Sequence, residues 1–255
     1  MKIAISGKGG VGKTLLASLL ARAFVRHGYS VIAIDADPDA NLAATLGFNH
    51  PDKIVPISEM KELIGERTDT GQNSKGSYFK MNPTVDDIPD KYSSEKDGIK
   101  LLVMGQVKRG GSGCYCPENA LLAALMAHLL IARNEVLILD MAAGIEHLGR
   151  GTARAVDRLI IVVEPGRASI ETALRIKKLA GDIGLDKISI IGNKIHSLEE
   201  KEFIEGGLAN YDILGFIPYD QALVSAEMKN TPVLNASSTI NESIDCIFHK
   251  LLPAA

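Results

Sequence analysis

The 255-residue chain contains no tryptophan and only three cysteines, at 114, 116 and 246. So few thiols exclude a disulfide-stapled fold; reduced cysteines, metal ligation or redox chemistry remain. No apolar run reaches the roughly 18 residues that a membrane-spanning helix needs. The net charge is −3 and the isoelectric point near 6.1, which argues against a dominant nucleic-acid surface. There is no internal repeat and no block of like charge. The first apolar run begins at the N-terminus, which leaves no room for a signal peptide and implies a cytoplasmic protein.

Apolar residues make up 46% of the chain, enough for one large α/β domain over 1–255. Short apolar runs recur at 3–5, 30–34, 99–104, 135–139, 159–163, 188–191 and 213–217, with helical stretches between them. Near-continuous apolar strands suit a sheet covered on both faces. The alternation predicts a doubly wound, mainly parallel α/β sheet of about seven strands. Ligands of such sheets bind at the carboxyl ends of the strands. Residues 48–98 break the rhythm with Pro, Asp, Ser and Gly and read as a polar insertion on the nucleotide face.

Behind the first run lies Gly7-Lys8-Gly9-Gly10-Val11-Gly12-Lys13-Thr14, followed by the helical Leu15–Ala21. Strand, glycine loop and helix carry G-x-x-x-x-G-K-[ST], the phosphate-binding loop of a P-loop NTPase fold. Glycines let backbone N–H groups curl round phosphate oxygens, and the helix N-terminus adds its dipole. Gly9, Gly10, Val11, Gly12, Lys13, Thr14 and Leu15 are the nucleotide-binding candidates. Lys13 brings a positive charge, and the Thr14 hydroxyl suits Mg²⁺. After the 135–139 run comes Asp140-Met141-Ala142-Ala143-Gly144, where an acid closing a strand fits a second Mg²⁺ ligand. Gly144 offers a backbone N–H to a γ-phosphate. After the second run comes Asp35-Ala36-Asp37-Pro38-Asp39-Ala40-Asn41, three acids that repel unless a cation or water intervenes. The same stretch also reads as a helix start, with Asp37 as N-cap and Pro38 at N1.

Lys8, a second lysine inside the loop, makes the motif resemble the deviant Walker A of the MinD/ParA/nitrogenase-iron-protein ATPases. That resemblance implies that Lys8 reaches the nucleotide of a facing subunit in a homodimer. It implies that Asp37 orients the attacking water, that Asp35 lies near the Mg²⁺ shell, and that Asp39 and Asn41 contact the partner. It also implies that Asn193 bonds the adenine amino group, with Lys194 and Pro218 beside the base.

Gly110-Gly111-Ser112-Gly113-Cys114-Tyr115-Cys116-Pro117 sets two thiols one residue apart before a helix. A bridge over so short a loop would be strained. The helix N-terminus should lower the thiolate pKa and favour metal binding. Two thiolates are half of a four-coordinate shell, so a two-fold axis would complete the site with two more sulfurs. Cys246 reads as a core residue of a C-terminal helix.

With this loop, and with Asp140–Leu148 running on to Arg150-Gly151-Thr152-Ala153, the chain resembles the CooC-type nickel-insertion ATPases that mature carbon monoxide dehydrogenase. The resemblance implies slow Mg²⁺-dependent hydrolysis of ATP to ADP and Ni²⁺ at Cys114 and Cys116, for which Zn²⁺ competes. It implies an apo carbon monoxide dehydrogenase client, with neither nucleic acid nor membrane as partner. Acetyl-CoA synthase is the alternative client. Glu146 and His147 belong to the resemblance, His147 as a metal ligand or a switch contact. Two other classes stay open: an iron–sulfur reductase component and a MinD/ParA-like positioning ATPase.

Overall fold

The computed structural model describes residues 1–70, 79–105, 116–145, 148, 150–228 and 237–252. Eight strands form one sheet: β1 (Lys2–Gly7), β2 (Val31–Ala36), β3 (Ser94–Lys96), β4 (Ile99–Val103), β5 (Val136–Met141), β6 (Arg158–Val163), β7 (Ile188–Ile195) and β8 (Asp212–Pro218). Their order is β3-β4-β2-β5-β1-β6-β7-β8, and only the β3–β4 pair is antiparallel. The helices are α1 (Lys13–Arg26), α2 (Leu42–Thr45), α3 (Lys61–Thr68), α4 (Ile88–Lys91), α5 (Pro117–Ala132), α6 (Arg150–Ala153), α7 (Arg167–Asp182), α8 (Leu198–Gly207), α9 (Gln221–Met228) and α10 (Ser238–Leu251).

The seven apolar runs are the seven parallel strands. The eighth, β3, corrects the expected count. It is an edge strand hairpinned to β4 through Asp97 and Gly98, both at positive φ (49° and 78°). An Asp-Gly pair with that backbone suits a two-residue hairpin turn. Three residues, none of them buried, cannot announce themselves as a strand by alternation.

Alternate strand residues point to opposite faces and build two cores. Ile32, Ile34, Leu102, Leu137, Leu139 and Ile161 pack with α3, α5 and α7 on one side. Ile3, Ile5, Ala33, Leu101, Ile138 and Val162 pack with α1 and α10 on the other. The 48–98 segment is only partly polar: Ile57, Leu63, Ile64, Val85 and Ile88 are buried in the first core.

In α10 the buried residues Ile240, Ile244, Ile247, Phe248 and Leu251 form one stripe at helical spacing. Phe248 meets Phe24 of α1 edge-on, centroids 4.9 Å apart. Burying one such ring contributes about 1.5–3 kcal/mol. Cys246 falls off this stripe and is exposed, which corrects its expected place in the core. Among the described residues, no helix is long and apolar enough to cross a membrane.

Candidate nucleotide site

All seven parallel strands present their carboxyl ends to one edge, where the loop after β1 turns into α1. Two glycines there are required by contact. A Cβ on Gly7 would lie 2.4 Å from the carbonyl oxygen of Val162, because β6 runs alongside. Gly12, the N-cap of α1, has φ 94°, and its Cβ would lie 2.3 Å from Nδ2 of Asn193. That nitrogen donates to the Val11 carbonyl at 2.8 Å. Asn193 is buried and one N–H of its amide buttresses the loop, while its carbonyl oxygen is the atom that can accept from an adenine amino group. Lys194 follows at φ 59° and donates to the Gly10 carbonyl at 2.6 Å. Pro218 closes β8 opposite Ile195, and the next N–H, of Tyr219, donates to the Ile195 carbonyl at 2.9 Å.

Lys13 is buried, and its ammonium has a long 3.5 Å contact to the Lys8 carbonyl. Gly9 and Gly10 are exposed, Thr14 and Leu15 half-buried. The loop thus offers a helix N-terminus, exposed glycine backbone and one sequestered cation, a set that fits a phosphate chain.

Behind it sit two carboxylates on adjacent strands: Asp35 and Asp140 are directly opposite in the β2–β5 register. Asp140 lies within β5, before Met141, rather than after the strand's end. The two acids differ in their partners. Asp35 accepts backbone N–H groups from Leu42 (2.9 Å) and Asp37 (3.2 Å). Burial nevertheless pushes its pKa up to about 6. Asp140 is buried with both oxygens unpartnered among the described residues. Burial pushes its pKa up to about 7; the Asp35 and Asp37 charges add to the rise, and Thr14 and Lys13 oppose it. The Thr14 hydroxyl is close enough to lower that pKa without meeting either oxygen in hydrogen-bond geometry. A buried bare carboxylate beside a hydroxyl is a hard-oxygen donor set, and it fits Mg²⁺. No group of three or more His, Cys, Asp or Glu placed to hold a metal ion is present among the described residues.

The acidic stretch forms no helix at Pro38. Asp37 accepts the N–H of Asp39 at 3.0 Å in a tight turn, and α2 starts only at Leu42, its first N–H held by Asp35. Asp37 is half-buried; Asp39 and Asn41 are exposed. The Gly144 N–H is engaged by the Ala142 carbonyl at 2.7 Å, so it must be released before it can meet a phosphate. Its carbonyl accepts from Ser6 Oγ at 2.7 Å, tying the end of β1 to the turn after β5.

Two groups here were not among the expected residues. One is Ser6. The other is Glu164, whose carboxylate lies 3.8 Å from the Lys8 ammonium and 3.5 Å from that of Lys194. Its signal was the one that marked Asp140, an acid at the carboxyl end of an apolar run. Cys116 stands at the N-cap of α5, half-buried, with Pro117 at N1, at the positive end of a 16-residue helix. Cys114, Glu146 and His147 lie outside the described residues.

The CobQ/CobB/MinD/ParA nucleotide binding domain family matches residues 2–233. The chain is 45% identical over 254 residues to the carbon monoxide dehydrogenase accessory protein CooC of Rhodospirillum rubrum, covering 99% of this chain and 96% of that one. It is 44% identical over 255 residues to an uncharacterized ATP-binding protein of Methanocaldococcus jannaschii, covering 99% and 98%. Among solved structures, the MinC:MinD cell division complex of Aquifex aeolicus superposes with a TM-score of 0.69 at 22% identity, over 99% of this chain and 98% of that one. That last likeness is one of fold.

Proposed function

The chain belongs to the CobQ/CobB/MinD/ParA nucleotide-binding family, among its CooC-type members, and from that premise we propose that it is an ATP-driven metallochaperone delivering Ni²⁺ to carbon monoxide dehydrogenase. The observation that carries the reading is the 45% identity to CooC over 99% of a chain whose sequence has a Cys-x-Cys pair directly before Pro117.

The geometry of the site supports the following division of labour. The backbone of Gly9–Leu15 and the Lys13 ammonium hold the phosphates. Thr14 and Asp140 would hold Mg²⁺, which supplies charge neutralisation to the β- and γ-phosphates. Asp37 is half-buried and its backbone is fixed by Asp35, so it can orient a water for attack on the γ-phosphate. Lys8 serves the partner's nucleotide, so closure and hydrolysis are joint acts of two chains. Cys114 and Cys116 give two sulfurs to a shared four-sulfur site for the cargo. Closure and metal grip are coupled only as far as the cargo binds the two dimer states with different affinity. Zn²⁺ competes because thiolates do not discriminate against it.

Nickel titration of the wild type and of Cys114→Ser/Cys116→Ser, followed by the thiolate charge-transfer absorbance, tests this. The wild type should bind about one Ni²⁺ per two chains, and the double variant should lose tight binding by about 100-fold or more while still binding ATP. Undiminished nickel affinity in the double variant would remove the loop as the cargo site.

A further inference from the structure

We infer that Glu164 is a positioning residue that parks Lys8 in its own subunit, and that its surrender of Lys8 is a step in ATP-dependent dimer closure. The inference rests on the dimer reading above and concerns the regulation of that same site.

The geometry is a three-member charge cluster at the mouth of the loop. Glu164 follows β6 directly, and Val162 of that strand pairs with Gly7, so its carboxylate is delivered beside the start of the loop. Its backbone is pinned, since the Glu164 N–H donates to Ser169 Oγ at 3.1 Å in the first turn of α7. One oxygen lies 3.8 Å from Lys8 Nζ, the other 3.5 Å from Lys194 Nζ. Lys194 is itself fixed by its bond to the Gly10 carbonyl. Lys8 is half-exposed, and Glu164 is its ion-pair partner among the described residues.

A lysine that serves a neighbouring subunit must leave this carboxylate. The contact is long and solvent-facing, so its strength is that of a surface pair, easily outcompeted by a phosphate chain. The second cation makes release cheaper still. When Lys8 departs, Lys194 stays on Glu164, and no bare carboxylate is left facing the phosphates. Until a partner's nucleotide arrives, the same pair keeps Lys8 from extending into solvent or folding onto its own phosphates. Glu164 thereby biases the free chain toward the monomer.

The test is ATP·Mg-dependent dimerisation, measured by light scattering behind size exclusion. Glu164→Gln keeps the shape and removes the charge. Each dimer holds two such latches, so the dimer dissociation constant should fall by about 3- to 10-fold, and Glu164→Ala should move it the same way. The gain should fade at high ionic strength, where a solvent-facing ion pair is screened; a merely structural role of Glu164 would not be screened. Melting temperature should shift little. Glu164 variants that dimerise like, or more weakly than, the wild type overturn the latch, as does a gain that high salt leaves undiminished. A wild type that stays monomeric with ATP·Mg overturns the dimer reading itself, and the latch with it.

Discussion

Two aspartates opposite one another on neighbouring strands have been given different tasks by their partners. Asp35 spends both oxygens on backbone N–H groups, so it holds the turn that leads into α2. Asp140 has no such partner among the described residues, a readiness that suits a cation. In the nucleotide-free protein that readiness is a stability cost. The Asp140 carboxyl titrates near 3.8 in an unfolded chain and is raised to about 7 when folded. Below the lower value both states are protonated and nothing is lost. As pH rises through the window, the unfolded chain ionises first, and native stability falls until the folded pKa is passed. A shift of that size corresponds to about 4 kcal/mol at most. Asp140→Asn should therefore stabilise the nucleotide-free protein by about 2–4 kcal/mol at pH 8 and flatten its stability between pH 4 and 7. The same change should lower Mg²⁺-dependent ATP hydrolysis by about 100-fold or more. Asp35→Asn should gain less than Asp140→Asn at pH 8, because relief of the burial cost behind its raised pKa is offset by about 1–3 kcal/mol for the backbone N–H that the amide cannot accept. Urea denaturation across pH reads both; an Asp140→Asn protein less stable than wild type at pH 8 contradicts the argument.

Between elements, the telling contact is the one that joins β7 to the phosphate loop. Asn193 occupies the space a side chain at position 12 would need, and its amide holds the Val11 carbonyl. Gly12→Ala then carries two penalties: a left-handed backbone for a residue with a Cβ, about 1–2 kcal/mol, and displacement of a buried amide from its acceptor, about 1–3 kcal/mol. In an Asn193→Ala background only the first should remain. A double-mutant cycle by thermal and denaturant melts should thus show coupling of about 1 kcal/mol or more, with fluorescent-ATP binding lost in Gly12→Ala. Additive effects would mean the two positions do not meet. This contact also marks the limit of what could be read from the chain. Lys13, Thr14 and Asp140 were legible because their signal is local: an apolar run, then a short pattern at its end. The Asn193 amide on Val11 and the Glu164 carboxylate on Lys8 depend on the register of strands more than 150 residues apart in sequence. β3 was available in Asp97-Gly98 but too short to show alternation. The buried part of 48–98 hid because its apolar residues are spread over turns and short helices with no period.

At the scale of the molecule, topology puts Lys8 and Cys116 on one edge. β4 is parallel to β1 through β2 and β5, so both strands end at the same side of the sheet. The loop after β1 carries Lys8. Cys116 is the N-cap of α5, the element that follows β4 in sequence. A two-fold contact across this edge would bring together paired nucleotide sites and paired cysteines, which is what coupling ATP to a shared ion requires. The two ligands should then be separable routes to the same assembly. Ni²⁺ alone should double the 27.3 kDa mass seen by light scattering in the wild type but not in Cys114→Ser/Cys116→Ser. ATP·Mg alone should double it in both, and Lys8→Ala should abolish the nucleotide route while sparing the metal route. With both ligands the association should exceed what either achieves singly, because each binds an arrangement the other has already stabilised. A chain that holds one Ni²⁺ tightly as a monomer, or a Lys8→Ala protein that dimerises with ATP as the wild type does, would separate the two motifs and leave the shared edge without a function.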